Sequence, residues 1–166
     1  MGGEDSAASF RFCSSWKLAA SRQKVWDTLT DFHGWVDWWP GLEEIVETAP
    51  GDQGGIGQKA HSKWRGPIGY VFGFSIESVE RREPEFLLGQ ASGDLSGSGS
   101  WSLSEYQGWT DVKLDWAVNA NRKWMEFLAP VARPVFVHGH DHVMRAGADG
   151  LAAHLGVEIR DFNSTA

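Results

Sequence analysis

Residues 134–155 read PVFVHGHDHVMRAGADGLAAHL, and their apolar positions recur at helical spacing. Phe136, His140, Met144, Gly147, Leu151 and Leu155 lie three or four residues apart, one stripe on a helix. The preceding KWMEFLAPVARP leads in, and Pro134 fits a first helical turn, where a missing N–H leaves no bond broken. Gly139, Gly147 and Gly150 weaken such a helix without breaking it. A long amphipathic helix closing a chain that is otherwise patterned in strands decides the fold.

Working back from that helix, the period is two. From Ser9, Phe10, Phe12, Trp16 and Leu18 share one face, with Arg11, Cys13, Ser15 and Lys17 on the other, as in a half-buried strand. Ser21 offers an N-cap to a short helix whose stripe is Val25, Trp26, Leu29 and Phe32. A second helical piece, GWVDWWPGL, stops at Pro40-Gly41. Strands are expected over 42–48, 57–65, 70–79, 83–92, 93–106 and 111–118, separated by turn clusters such as APGDQGG. Consecutive strands with short turns imply an antiparallel sheet. The expected architecture is α+β, a curved sheet of seven antiparallel strands wrapped on one long C-terminal helix. Residues 9–155 form the single domain, with loosely held ends at 1–8 and 156–166.

Composition narrows the functional classes. The 166 residues include ten Trp and nine Phe but only two Tyr, which suits an aromatic core or a cavity for something flat and apolar. A net charge of −7 without a basic stripe argues against nucleic acid and against an anionic membrane surface. No segment is long and apolar enough for stable membrane insertion, and the first residues lack a signal-peptide pattern, so a cytoplasmic location is expected. Cys13, alone, allows neither an internal disulfide nor a cysteine-rich zinc site.

With these elements in order, the chain resembles the helix-grip superfamily (START/SRPBCC), which includes START lipid-transfer domains, pollen-allergen-like proteins and bacterial polyketide cyclases and dehydrases. The likeness is to bacterial polyketide-cyclase-like members and rests on VWDTLTDFHGWVDWWPGL (25–42), GPIGY (66–70), GDLSGSGSWSL (93–103), DVKLDW (111–116) and LAPVARPVFVHGHDHVMRAGADGLAAHL (128–155). It implies a cavity between the concave sheet face and the long helix. The inward faces read from the periodicity agree on its lining. From the sheet come Trp64, Tyr70, Phe72, Phe74, Trp101 and Trp116, with Gly97 and Gly99 leaving room for a ligand or for sheet curvature. From the helix come Phe136, His140 and Met144.

The histidines of VFVHGHDHVM separate into two groups, because successive helical residues turn by about 100°. His138, Asp141 and His142 share a polar face opposite the stripe and read as a solvated surface, so neither metal nor cofactor is expected. His140 interrupts the apolar stripe. It is either a core histidine satisfied by a protein partner or a polar group turned towards a ligand. Tyr70, facing inward, is a second orienting group. No Ser, Cys or Lys stands in the context of an activated nucleophile, and GDQGGIG and GDLSGSGS lack the features of phosphate-binding loops.

The leading functional expectation is a binding module for a small hydrophobic molecule, aromatic, polyketide-like or lipid-like. The resemblance implies an alternative, a cyclase, aromatase or dehydratase in which His140 and Tyr70 are the catalytic candidates. A protein-interaction role is the third, with the partner unspecified.

Overall fold

The computed structural model describes residues 9–166, apart from the side chains of Trp124, Glu126, Leu128 and Ala129. The segment 1–8, expected to be loose, lies outside the described residues. Strand β1 (Ser9–Leu18) is followed by α1 (Arg22–Thr30), a 3-10 turn (Phe32–Gly34) and α2 (Trp35–Trp38). The strands β2 (Leu42–Pro50), β3 (Gln58–Arg65), β4 (Val71–Arg82), β5 (Phe86–Gly93), β6 (Leu95–Tyr106) and β7 (Trp109–Ala120) come next. Helix α3 (Lys123–Leu155) and β8 (Ile159–Thr165) complete the chain. All strands join one antiparallel sheet in the order β2-β3-β4-β5-β6-β7-β1-β8.

Local chemistry accounts for the element ends. Ser21 caps α1, its hydroxyl accepting from the Lys24 N–H at 3.2 Å. Helix α2 closes with the Trp39 N–H on the Trp35 carbonyl at 2.8 Å, and the chain then turns at Pro40-Gly41 into β2. Along β1, every even-numbered residue from Phe10 to Leu18 is buried, the alternation expected of a strand with one face on the core.

Two elements differ from the expectation. Helix α3 begins at Lys123, so Pro134 sits in its interior, as does Pro130. An interior proline removes a backbone bond and crowds the carbonyl four residues back. Burial of Met125 and Phe136 among Phe10, Phe12 and Val118 keeps this half helical across both prolines. The sheet also has eight strands rather than seven, because most of the expected C-terminal tail is β8. Gly156, at φ +66°, ends α3, and the Val157 N–H returns to the Ala152 carbonyl at 3.0 Å. The chain then lies along β1, with Leu18 opposite Ile159 and Cys13 opposite Thr165.

The helix meets the sheet unevenly. Between 147 and 152 it packs tightly: a Cβ on Gly150 would stand 1.8 Å from the Trp38 carbonyl oxygen, and one on Gly147 2.5 Å from the Trp39 ring. Ala148 and Leu151 have no exposed surface. Gly150→Ala is therefore expected to destabilise the protein by about 1–3 kcal/mol through overpacking. That sign is opposite to the gain of roughly 1 kcal/mol that the exchange brings in an unobstructed helix. Urea unfolding of the variant measures it.

Candidate functional site

Under the other half of α3 the sheet and helix part, leaving a half-open cavity of about 160 Å³. Strand β4 and the residue before it contribute Tyr70, Phe72, Phe74 and Ile76, strand β3 contributes Trp64, and β6 and β7 contribute Trp101, Leu114, Trp116 and Val118. The helix supplies Met125, Phe136, Gly139, His140, Val143 and Met144. Among the described residues, no Asp, Glu, Lys or Arg lines the space.

Rings packed on rings hold its walls. Phe72 stacks on Phe74 with centroids 6.1 Å apart, and Phe74 meets Trp116 at 5.9 Å. A Cβ on Gly99 would lie 2.3 Å from the Trp116 ring, so glycine there admits the indole of its cross-strand partner. Trp39 ties the end of α2 into the wall, 5.1 Å from Trp64 and 6.3 Å from Trp101. Its indole N–H donates to the Val143 carbonyl of α3 at 3.0 Å. Trp64 donates to the Ser62 hydroxyl at 2.9 Å, which in turn donates to the Phe74 carbonyl. The indoles are thus largely satisfied, and the surface they turn to the cavity is apolar.

Among the polar lining groups, Ser78 accepts from the Arg81 guanidinium at 3.1 Å, whereas His140 stands apart. Its ring lies flat on Phe12, centroids 3.7 Å apart and planes 9° from parallel. Both ring nitrogens are buried, and neither has a hydrogen-bond partner among the described residues. The nearest charged group, Asp141 Oδ1, stands 3.6 Å from Nδ1, too far for a hydrogen bond but near enough to polarise the ring. Asp141 Oδ1 accepts from the Ser164 hydroxyl of β8 at 2.7 Å. Desolvation outweighs the carboxylate's pull and lowers the imidazole pKa from 6.5 to about 4, so the ring is neutral at pH 7.

The structure brings ten of the eleven expected lining residues together: Trp64, Tyr70, Phe72, Phe74, Gly99, Trp101, Trp116, Phe136, His140 and Met144. Gly97 is the exception. At φ +141°, its Cβ would meet the Ala117 carbonyl oxygen of β7 at 2.0 Å, so this glycine serves the pairing of β6 with β7 and does not line the cavity. Tyr70 is wedged between two glycines: a Cβ on Gly66 would enter its ring at 2.3 Å, and one on Gly139 would lie 2.4 Å from its hydroxyl. Burial pushes its phenol above the ordinary value, so it too is neutral. The Tyr70 hydroxyl therefore abuts the helical residue immediately before His140. On the opposite face, His138 and His142 are exposed, while Asp141 is turned partly inward to Ser164.

Some lining residues escaped the sequence reading. Phe10, Phe12, Leu114 and Val118 carried the signal, since each lies on an inward strand face. Phe32 stood on the expected stripe of the first short helix without being assigned to the cavity, and Trp35 and Trp39 carried no signal, because a turn of short helices has no period that aims a side chain. Met125 was hidden by the prolines that follow it.

Residues 9–156 match the sequence model of the family described as Polyketide cyclase / dehydrase and lipid transport. The chain belongs to this family. Its fold is similar to that of the Zhui aromatase/cyclase from Streptomyces sp. R1128 (TM-score 0.74, 16% identity, covering 89% of this chain and 94% of that one). A START superfamily protein from Mycobacterium smegmatis is similar at TM-score 0.71 and 16% identity, covering 89% and 98%. The di-domain ARO/CYC BexL from the BE-7585A biosynthetic pathway matches at TM-score 0.71 and 17% identity over 89% of this chain. The chain spans about half the length of that protein, 50%. No curated protein matches. At such identities the likeness establishes the fold alone, a curved antiparallel sheet wrapped on one long helix. Among the described residues, no helix is long and apolar enough to cross a membrane.

The buried imidazole predicts a pH signature. The unfolded chain binds its proton near pH 6.5 and the folded protein only near 4, so stability falls as pH drops through that interval. Between pH 7 and pH 5 the wild type is expected to lose about 2 kcal/mol more than His140→Phe, from the two pKa values. Urea unfolding at both pH values reads this, and equal losses would contradict the burial of a neutral ring.

Proposed function

We propose that the protein binds a small, neutral, predominantly aromatic molecule in the cavity between its sheet and α3. The observation that carries this reading is a space of about 160 Å³ walled mainly by aromatic and aliphatic side chains and, among the described residues, by no charged one. Its size is close to that of an engineered apolar cavity of about 150 Å³ that stays dry and takes up benzene. An apolar guest of one ring would gain burial against the walls without stripping water from any charged group. A charged guest would be stripped of water with no counter-charge to meet it. Membership of a family that includes polyketide cyclases and lipid transporters supports a hydrophobic guest of this general kind.

The second reading, a cyclase or dehydratase acting in the same cavity, is favoured by one specific feature. Asp141 stands beside Nδ1 of a neutral His140, the arrangement in which a carboxylate orients an imidazole for proton transfer. Tyr70, with its hydroxyl against the adjacent turn, supplies a neutral donor for a carbonyl oxygen.

Titration with toluene, followed by calorimetry and by tryptophan fluorescence, tests the binding reading. Saturable one-to-one binding is expected, and Val143→Trp, which fills the cavity from the helix side, should abolish it in a folded protein. Absence of saturable binding in the wild type would overturn the proposal.

A further inference from the structure

We propose that the outer face of the N-terminal half of α3 docks the protein reversibly on a lipid surface that carries anionic headgroups, whatever the cavity holds.

That half of the helix is apolar on both sides. Met125 and Phe136 are buried towards the sheet. On the opposite side Phe127, Pro130, Val131, Pro134 and Val135 recur at intervals of three and four residues, which is one face of a helix, and all five are exposed. Val131 is 84% exposed and Phe127 83%, the highest values among the large apolar side chains described. The turn between β3 and β4 adds Ile68, 71% exposed. This turn runs beside the same half of α3. The Arg122 guanidinium donates to the Val71 carbonyl at 2.8 Å, and a Cβ on Gly139 would lie 3.6 Å from the Pro67 ring. A surface helix ordinarily turns polar residues to water, so a contiguous apolar face of this kind marks a contact.

Charge and area select the partner. Arg122, Lys123 and Arg133 are exposed around the face, and with Glu126 they give residues 122–135 a net charge of +2. The rest of the chain then carries −9, an asymmetry that the whole-chain value of −7 conceals. Anionic headgroups attract the basic, apolar face and repel the remainder, which leaves one favoured orientation. The six apolar side chains offer roughly 500 Å² together, from the usual areas of such groups. Each partner of a stable protein pair buries about 800 Å². A second copy seated on this face would also bring its own three basic groups against these. The prolines set the depth. Having no N–H, Pro130 and Pro134 leave the carbonyls four residues back without their usual helical donor. Such carbonyls stay hydrated among headgroups but would be unpaired in hydrocarbon, so the face lies in the interface and goes no deeper.

Cosedimentation at neutral pH and low salt with vesicles of equal parts phosphatidylcholine and phosphatidylglycerol tests the proposal. Saturable binding is expected, about tenfold weaker on vesicles of phosphatidylcholine alone. Phe127→Ser, which removes an exposed ring and leaves the core intact, should weaken binding to the mixed vesicles about tenfold. Tyr106→Ser should not, since Tyr106 is as exposed, at 73%, but sits at the far end of β7 from α3. Val143→Trp, which fills the cavity, should bind vesicles as the wild type does. A wild type that stays in the supernatant would overturn the proposal, and so would equal effects of Phe127→Ser and Tyr106→Ser. Loss of binding in Val143→Trp would overturn it too, because lipid uptake into the cavity would then account for the sedimentation. Sedimentation velocity without lipid adds the remaining arm. A monomer is expected, and a dimer that Phe127→Ser dissolves would assign the face to a second copy instead.

Discussion

The close approach of α3 to α2 is the constraint on which the rest of the molecule depends. Gly147 and Gly150 let the helix backbone come down onto Trp39 and the Trp38 carbonyl, and any side chain at Gly150 would lift it. At that end the helix is in full contact, with Ala148, Leu151 and Ala152 buried. Towards its N-terminal half the helix presents Phe136, His140 and Met144 to a sheet face made of Trp and Phe. Rings of that size cannot interdigitate as closely as small aliphatic groups, so the two layers separate. The cavity lies entirely under residues 125–144 of the helix, and nothing from Gly147 onward lines it. Tight packing at one end and aromatic bulk at the other are two parts of one design.

That arrangement also explains why a polar group survives in an apolar wall. His140 stacks on Phe12, so much of its ring area is buried as an aromatic would be. Below about pH 6.5 the proton that the folded ring does not take up is a free-energy cost, visible as its lowered pKa. Asp141 offsets part of it and is itself anchored by Ser164, which gives β8 a second role. The strand extends the sheet beyond β1, and its Ser164 also holds the carboxylate that stands 3.6 Å from the His140 ring.

Most of this was legible in the residues because two periods do most of the specifying. Alternation along β1, β3, β4, β6 and β7 put the correct side chains on the concave face, and the stripe Phe136, His140, Met144, Gly147, Leu151 matched the buried side of α3. The failures have physical causes. Strand β8 breaks its own alternation: Asp161 adopts φ +58° beside a register shift opposite β1, so Ile159 and Phe162 both pack inward although three positions apart. Two prolines masked the first turns of α3, since local chemistry argues against a helix that tertiary packing nevertheless holds. Gly97 lay on the predicted face, but its positive φ and its contact with the β7 backbone could not be read from spacing. Among the described residues both His140 nitrogens lack a partner, a pairing question that spacing cannot answer.

The central claim is that an apolar space of ligand size lies between His140, Phe12 and the aromatic face of the sheet. Diffraction from crystals pressurised with xenon tests it most directly, because xenon enters dry apolar cavities without demanding a specific chemistry. The account predicts a xenon site bounded by Trp116, Phe72 and His140, with the surrounding rings unmoved. A structure with no xenon there, and with the rings of Trp116 and Phe136 collapsed into the space, would contradict it.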